Sequence, residues 1–337
     1  MPIIQFESTM KKLFKVFGYV MGAIILLLAC TLAFLQLGFP KVDPAEEISI
    51  DYTPDRIERG AYLANHVAVC MDCHSKRDFS QFSGPPTPGT LGAGGDRFDH
   101  KIGLPGVFYA KNITPFGIGD YTDGELFRLI TTGVTNEGSP MFPLMPYSYY
   151  GKMDREDIYD IIAYVRSLPS IENDIPDSEA DFPVNLILRT MPKNPELVQK
   201  PSRDDQVAYG AYMVNASGCA ECHTQITPQG VINPELAFGG GRSFPFPDGS
   251  VVTSSNITPD VETGIGSWSE EDFVKRFKFY SDSGYVNPKV MPGEFNSIMP
   301  WTMYAGMKEE DLKAIYAYLT SLKPMKNEIV KFTSSSE

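Results

Sequence analysis

Cys70-Met71-Asp72-Cys73-His74 and Cys219-Ala220-Glu221-Cys222-His223 are the two stretches on which the fold turns. Each is a Cys-x-x-Cys-His run, the pattern of haem c attachment. Thiols three positions apart can bond the two vinyl groups, and the adjacent imidazole then sits beneath the iron. A redox dithiol needs no following histidine, and a zinc site would need a further ligand pair that neither half supplies. Two haem c groups are therefore expected, one held by Cys70 and Cys73 and one by Cys219 and Cys222, with His74 and His223 as axial ligands. The fifth cysteine, Cys30, stands alone in an apolar segment, and neither chain length nor cysteine spacing resembles a disulfide-stapled secreted domain.

Both motifs lie inside a long-range repeat. Gly60-Ala61-Tyr62-Leu63-Ala64-Asn65 returns as Gly210-Ala211-Tyr212-Met213-Val214-Asn215, and Asn112-Ile113-Thr114-Pro115 as Asn256-Ile257-Thr258-Pro259. Gly117-Ile118-Gly119-Asp120-Tyr121 matches Gly264-Ile265-Gly266-Ser267-Trp268, and Met145-Pro146-Tyr147 matches Met299-Pro300-Trp301. Ala163-Tyr164-Val165-Arg166-Ser167-Leu168 then answers Ala317-Tyr318-Leu319-Thr320-Ser321-Leu322. The offsets are 149 residues at the first cysteine, 144 at the asparagine and 154 at the methionine. Features in the same order at nearly constant offset mean two copies of one domain, expected over residues 55–170 and 204–324. Residues 171–203, with Pro176, Pro183, Pro192, Pro195 and Pro201, read as a linker in which regular helix cannot persist. Its apolar piece, from Phe182 to Leu188, is too hydrophobic for a free tether and is expected to pack against one or both domains. Residues 325–337 read as a tail.

Each copy reads as helices. Thr53-Pro54 is a helix start, and Thr122-x-x-Glu125 is a capping box ahead of Leu126, Phe127, Leu129 and Ile130. Apolar residues at helical spacing, Ile158, Ile161, Ile162 and Val165, then Leu312, Ile315, Tyr316 and Leu319, give the last helix of each copy one buried face. Neither half has a convincing run of alternating strand residues, so the expected fold class is all-α.

The sixth position on each iron separates electron transfer from ligand chemistry. His66 and His100 both fall in the first half without counterparts, so they cannot serve two sites and are expected to be surface or hydrogen-bonding groups. Met145 and Met299 are the methionines preserved by the repeat, 71 and 76 residues beyond the proximal histidines, and thioether ligation raises haem potential. They are expected as the distal ligands, whereas Met141, Met153, Met291, Met303 and Met307 are expected in the core or at the surface. Tyr121 and Trp268 fit either a haem pocket wall or ordinary packing. Asn112, Thr114, Asn256 and Thr258 fit either a propionate contact or a turn.

Val16 to Leu35 is a run of 20 residues without charge, roughly 30 Å of helix, enough to cross a bilayer once. Lys11, Lys12 and Lys15 precede it and Asp43, Glu46, Glu47 and Asp51 follow, so residues 1–15 are expected in the cytoplasm, 16–35 in the membrane and the rest outside, after a linker of 36–54. A cleaved signal, or a lipoprotein signal acylated at Cys30, are the competing readings, but the apolar run continues past Cys30 to Leu35. The net charge is −13, which makes nucleic acid an unsuitable partner.

These residues resemble the class I cytochrome c family, in which an N-terminal helix leads to Cys-x-x-Cys-His and a methionine ligand precedes a C-terminal helix. The joint pattern of Asn-Ile-Thr-Pro, Gly-Ile-Gly, Met-Pro-aromatic and Ala-Tyr-x-x-Ser-Leu, with Phe182-Pro183 and Arg189, is similar to the cytochrome subunits of membrane-bound alcohol and gluconate dehydrogenases. The resemblance implies two tandem class I domains; with the apolar run read as one N-terminal transmembrane helix, they are expected in the periplasm of a bacterium, anchored in its inner membrane. It also implies thioethers at Cys70, Cys73, Cys219 and Cys222, proximal His74 and His223, and distal Met145 and Met299. Those subunits typically carry three haem domains and an anchor at the other end; here there are two motifs and an N-terminal apolar run. The expected function is electron transfer between a donor, a dehydrogenase or respiratory complex, and an acceptor. A quinol-oxidising complex, a terminal oxidase or a soluble cytochrome are the partner classes. A dihaem enzyme such as a peroxidase, or a wiring subunit of a respiratory complex, are the alternatives.

Overall fold

The computed structural model describes residues 2–227 and 232–335; Met1 and residues 336–337, the outermost parts of the two terminal segments, lie outside them. A single helix, Pro2–Gly38, runs through the apolar segment, and its side chains from residue 12 to 34 are all exposed. Its stretch Lys12–Gly38 is long and apolar enough to cross a membrane.

Each half is built on one helix crossing. In the first, Pro54–Tyr62 crosses Arg155–Ser167; in the second, Gln206–Ala216 crosses Glu309–Ser321. Thr53 caps the first of these, accepting the Arg56 N–H at 3.3 Å. The crossings are so close that a Cβ on Gly60 would lie 1.8 Å from the Asp160 carbonyl oxygen, and one on Gly210 1.9 Å from that of Ala314. Only glycine lets backbone meet backbone there. Ile158, Ile161, Ile162 and Val165 are buried on the closing helix, as are Leu312, Ile315 and Leu319, with Tyr316 half-buried. Burying side chains of this kind stabilises by about 1.5–3 kcal/mol each. The capping box at Thr122 and Glu125 is formed on helix Asp123–Thr132, and Ser269 with Asp272 repeats it on Glu270–Lys278.

The expectation of an all-α fold is corrected. Each half also carries a small antiparallel sheet of three strands: Arg97–Phe98, Gly106–Tyr109 and Glu179–Ala180, then Ser243–Pro245, Val251–Thr253 and Phe332–Thr333. Strands of two to four residues are too short for alternation to register in sequence. The third strand of each sheet comes from residues read as linker and tail. In the linker, the apolar piece buries Leu188 and half-buries Val184 and Leu186, while Phe182 and Ile187 remain exposed. Arg189 donates to the carbonyls of Leu35 at 3.2 Å, Gln36 at 3.0 Å and Phe39 at 2.7 Å, satisfying the open end of the long helix.

The first half has one residue more than the second between its repeated Asn65 and Cys70, and a π-helical turn, Leu63–Val67, absorbs it. The shift makes His66 the counterpart of Asn215. His66 Nδ1–H donates to the Met303 carbonyl at 2.8 Å, and Asn215 Nδ2–H to the Tyr149 carbonyl at 2.9 Å, so each half lends a bond to the other.

Candidate haem sites

Both Cys-x-x-Cys-His runs form a single helical turn, Cys70–Cys73 and Cys219–His223, entered through a left-handed residue. In the second half that residue is Gly218 at φ 61°, while in the first it is Val69 at φ 44°, a strained conformation for a β-branched side chain. Burial pushes the thiols of Cys70 and Cys219 up to about 12 and that of Cys222 up to about 11. Cys73 reaches solvent, yet surrounding protein and the neighbouring Asp72 carboxylate still push its thiol up. A redox dithiol requires the opposite, a depressed thiol.

The two histidines are held alike. His74 Nδ1–H donates to the Lys111 carbonyl at 2.6 Å and His223 Nδ1–H to that of Ser255 at 2.7 Å, two carbonyls 144 residues apart. With Nδ1 committed to a backbone acceptor, Nε2 keeps its lone pair, and burial holds both rings below their ordinary pKa and neutral. That is the state and orientation a metal-ligating imidazole needs. Among the described residues no group of three or more His, Cys, Asp or Glu could hold a bare ion.

The residues after each anchoring carbonyl are a clamp. Asn112 Oδ1 accepts from Thr114 N at 2.9 Å and Oγ1 at 2.7 Å, while its Nδ2 donates to the Ile171 carbonyl at 2.8 Å. Asn256 does the same with Thr258 N at 2.9 Å, Oγ1 at 2.8 Å and the Met325 carbonyl at 2.6 Å. Ile171 and Met325 sit at the same distance beyond the closing helices, so each Asn-x-Thr turn fastens the histidine's acceptor to the end of the domain's last helix. All four side chains are buried, and their polar atoms go to protein, which is the turn-shaping role.

Met145 and Met299 are half-buried, each followed by proline and a one-turn helix, Tyr147–Tyr150 or Trp301–Tyr304. The last tyrosine of each turn was not visible as a site residue in the sequence. Tyr150 Oη–H donates to the Ala68 carbonyl at 3.0 Å and Tyr304 Oη–H to that of Ser217 at 2.9 Å. Both acceptors stand two positions before the first attachment cysteine, so methionine loop and cysteine turn are tied in each half. Burial, aided by the nearby cysteines, holds both phenols well above their ordinary pKa and thus as donors. Their common offset of 154 residues, shared with the methionines, was the available signal.

Tyr121 and Trp268 are half-buried against the core, and their carbonyls accept from Arg166 and from Tyr316 Oη–H. His100 lies at the surface with Nε2 2.7 Å from Asp181.

Sequence comparison bears on this geometry. No family model matches the chain. It is 29% identical over 296 residues to the alcohol dehydrogenase (quinone) cytochrome c subunit of Gluconacetobacter polyoxogenes, covering 81% of this chain and 58% of the relative. The gluconate 2-dehydrogenase cytochrome c subunit of Pantoea cypripedii matches at 27% over 324 residues, 90% of this chain and 65% of the relative. This chain is a homologue of dehydrogenase cytochrome c subunits. It spans a little over half the length of the alcohol dehydrogenase subunits, 58% and 54%. A diheme cytochrome c-type protein of Cereibacter sphaeroides matches in different proportion, 27% identical over 74% of this chain and 80% of its own length. As a homologue of such subunits, the chain carries both Cys-x-x-Cys-His turns on the helix frame described above.

Proposed function

We propose that this chain is a membrane-anchored dihaem cytochrome c that carries electrons on the periplasmic side of the cytoplasmic membrane, from a dehydrogenase or respiratory complex to an acceptor protein. The observation that carries the reading is the paired histidine geometry: neutral rings, Nδ1 bonded to equivalent carbonyls, Nε2 uncommitted, each beside two attachment cysteines. The relatives' names support the redox context, since those proteins are cytochrome c subunits of alcohol and gluconate dehydrogenases.

In this reading residues 55–170 and 204–324 are tandem class I cytochrome c domains. Cys70 and Cys73, and Cys219 and Cys222, hold the two haems by thioethers; His74 and His223 are the proximal ligands and Met145 and Met299 the distal ones. Bound haem c supplies one-electron chemistry. The chain's own residues fix both imidazole tautomers and brace the methionine loops through Tyr150 and Tyr304. The exposed helix Lys12–Gly38 anchors the whole.

A pyridine haemochrome assay on the purified full-length protein tests the core of the proposal, with two haems c per chain expected. One or three would overturn it. Membranes washed with high salt and alkali should retain the protein, and a dehydrogenase should copurify after detergent extraction.

A further inference from the structure

The two largest slips in the offset between the copies fall in stretches where the two halves touch. It falls from 149 at the cysteines to 144 at the asparagines, so the first half has five extra residues in between. It rises from 147 at Gly-Ile-Gly to 154 at Met-Pro, so the second half has seven extra residues there. Segments within these two lengthened stretches pair with one another. Phe82 N donates to the Pro288 carbonyl and Val290 N to that of Ser80, both at 2.9 Å, around a bridge between Gln81 and Lys289. Asn296 Oδ1 accepts from Ser83 N at 2.9 Å, and its Nδ2 donates to the Phe79 carbonyl at 3.1 Å.

The strap ends on Met299. Ser83, buried and at φ 66°, donates Oγ–H to the Met299 carbonyl at 2.5 Å and accepts from Trp301 N at 3.0 Å. Arg77 reaches the Ile298 carbonyl at 3.3 Å and the Ser83 carbonyl at 2.7 Å, and its other Nη pairs with Asp72, inside the first attachment motif, at 3.0 Å. Three backbone groups around Met299, the carbonyls of Ile298 and Met299 and the N–H of Trp301, are thus held by the first half. Among the described residues the Met145 loop, 141–147, receives no hydrogen bond from the second half.

We infer that Ser83 and Arg77 are positioning residues for Met299, so that thioether ligation at the second haem, and not at the first, is set by the neighbouring half. The inference rests on the dihaem reading and on Met299 as a ligand. Removing the Ser83 hydroxyl leaves the part-buried Met299 carbonyl and Trp301 N–H with only their 2.8 Å bond to each other, and it cuts the tie that fixes the thioether-bearing loop to the first half. Loss of the thioether lowers that haem's potential.

The test uses full-length holoprotein carrying Ser83→Ala, with Met299→Ala and Met145→Ala as references and Tyr62→Phe as a variant that weakens the contact between halves away from the strap. Redox titration and imidazole binding to the ferric protein are read at each haem. In Ser83→Ala one midpoint, the one that Met299→Ala lowers, should fall, and imidazole should displace the ligand there at least about fivefold more readily, the factor equivalent to one buried hydrogen bond. The other haem, and both haems of Tyr62→Phe, should stay as in wild type. If Ser83→Ala leaves both haems unchanged while Met299→Ala alters one, the positioning role is refuted and the ligand assignment stands. If Met299→Ala itself changes nothing, the ligand assignment fails and the inference with it. Should Ser83→Ala not accumulate, Asn296→Ala loosens the same strap and is read the same way.

Discussion

The phenol of Tyr62 donates to the buried carboxylate of Asp311 at 2.5 Å, across the boundary between the halves. The bond is returned: Tyr212 donates to Asp157 at 2.6 Å. Lys308 N donates to the Tyr62 oxygen and Asp154 N to that of Tyr212, each at 3.1 Å. Both carboxylates are fully buried and paired with cations, Arg203 for Asp311, and Arg59 and Lys200 for Asp157. Tyr62→Phe or Tyr212→Phe strips one donor from a buried charge, so each should destabilise by about 1–3 kcal/mol. Urea midpoints measure this, and an unchanged midpoint would remove the interface role.

Acid should weaken the same contact. Burial raises the Asp157 pKa, but Arg59, Lys200 and the Tyr212 hydroxyl outweigh it and hold the carboxyl below its ordinary value. A depressed folded pKa means stability that is present above about pH 3.9 and is lost as pH falls through the folded value. Asp157→Asn should flatten the stability profile in that acid window while lowering stability at neutral pH.

His66 predicts a second, milder window. Burial lowers its pKa, the Met303 carbonyl opposes and the Lys278 charge adds to the lowering. Below about pH 6.5 the unfolded chain takes up a proton that the folded ring resists, so stability declines as pH falls. His66→Asn installs the residue that the second half uses in the same place, keeps a donor for Met303, and should abolish the slope between pH 7.5 and 5.5 in urea titrations.

Helix crossing sets the largest expected effect. A methyl at Gly60 or Gly210 cannot fit against the opposing carbonyl, and Gly60→Ala or Gly210→Ala should cost about 3 kcal/mol or more. Haem-to-protein ratios should fall towards one per chain in each variant, with loss confined to the altered half. Retention of both haems at wild-type stability would contradict the packing argument.

At the end of the long helix, Arg189→Ala leaves the last carbonyls without their cation. Protease cleavage in residues 39–53 of membrane-bound protein should accelerate severalfold, with both haem midpoints unmoved.

What was legible in the sequence was local or repeated. Thr53, Thr122 and the Ile158 face announced helices through capping and spacing, because those signals act within one or two turns. The sheets escaped notice because Glu179–Ala180 and Phe332–Thr333 are two residues each and pair with partners more than 70 residues away. Tyr150 and Tyr304 could have been found from their shared offset. Ser83 could not, since it lies in the lengthened loop between Arg77 and Pro86, nor could Arg77, whose counterpart is the apolar Ile226, and only the fold brings them to Met299.

The strap has a consequence for how such a molecule can arise. Reciprocal bonds such as Tyr62 to Asp311 and Tyr212 to Asp157 are what a symmetric homodimer makes, residue i meeting j and j meeting i. In a true homodimer any insertion appears in both subunits, and a brace from one site to the other is always matched by its mirror. Joining the copies in one chain lifts that constraint and replaces dimer affinity with the high effective concentration of a tether. Only then can one half grow a loop that serves its neighbour without being served in return, and two sites built from the same repeat can be given unequal tasks.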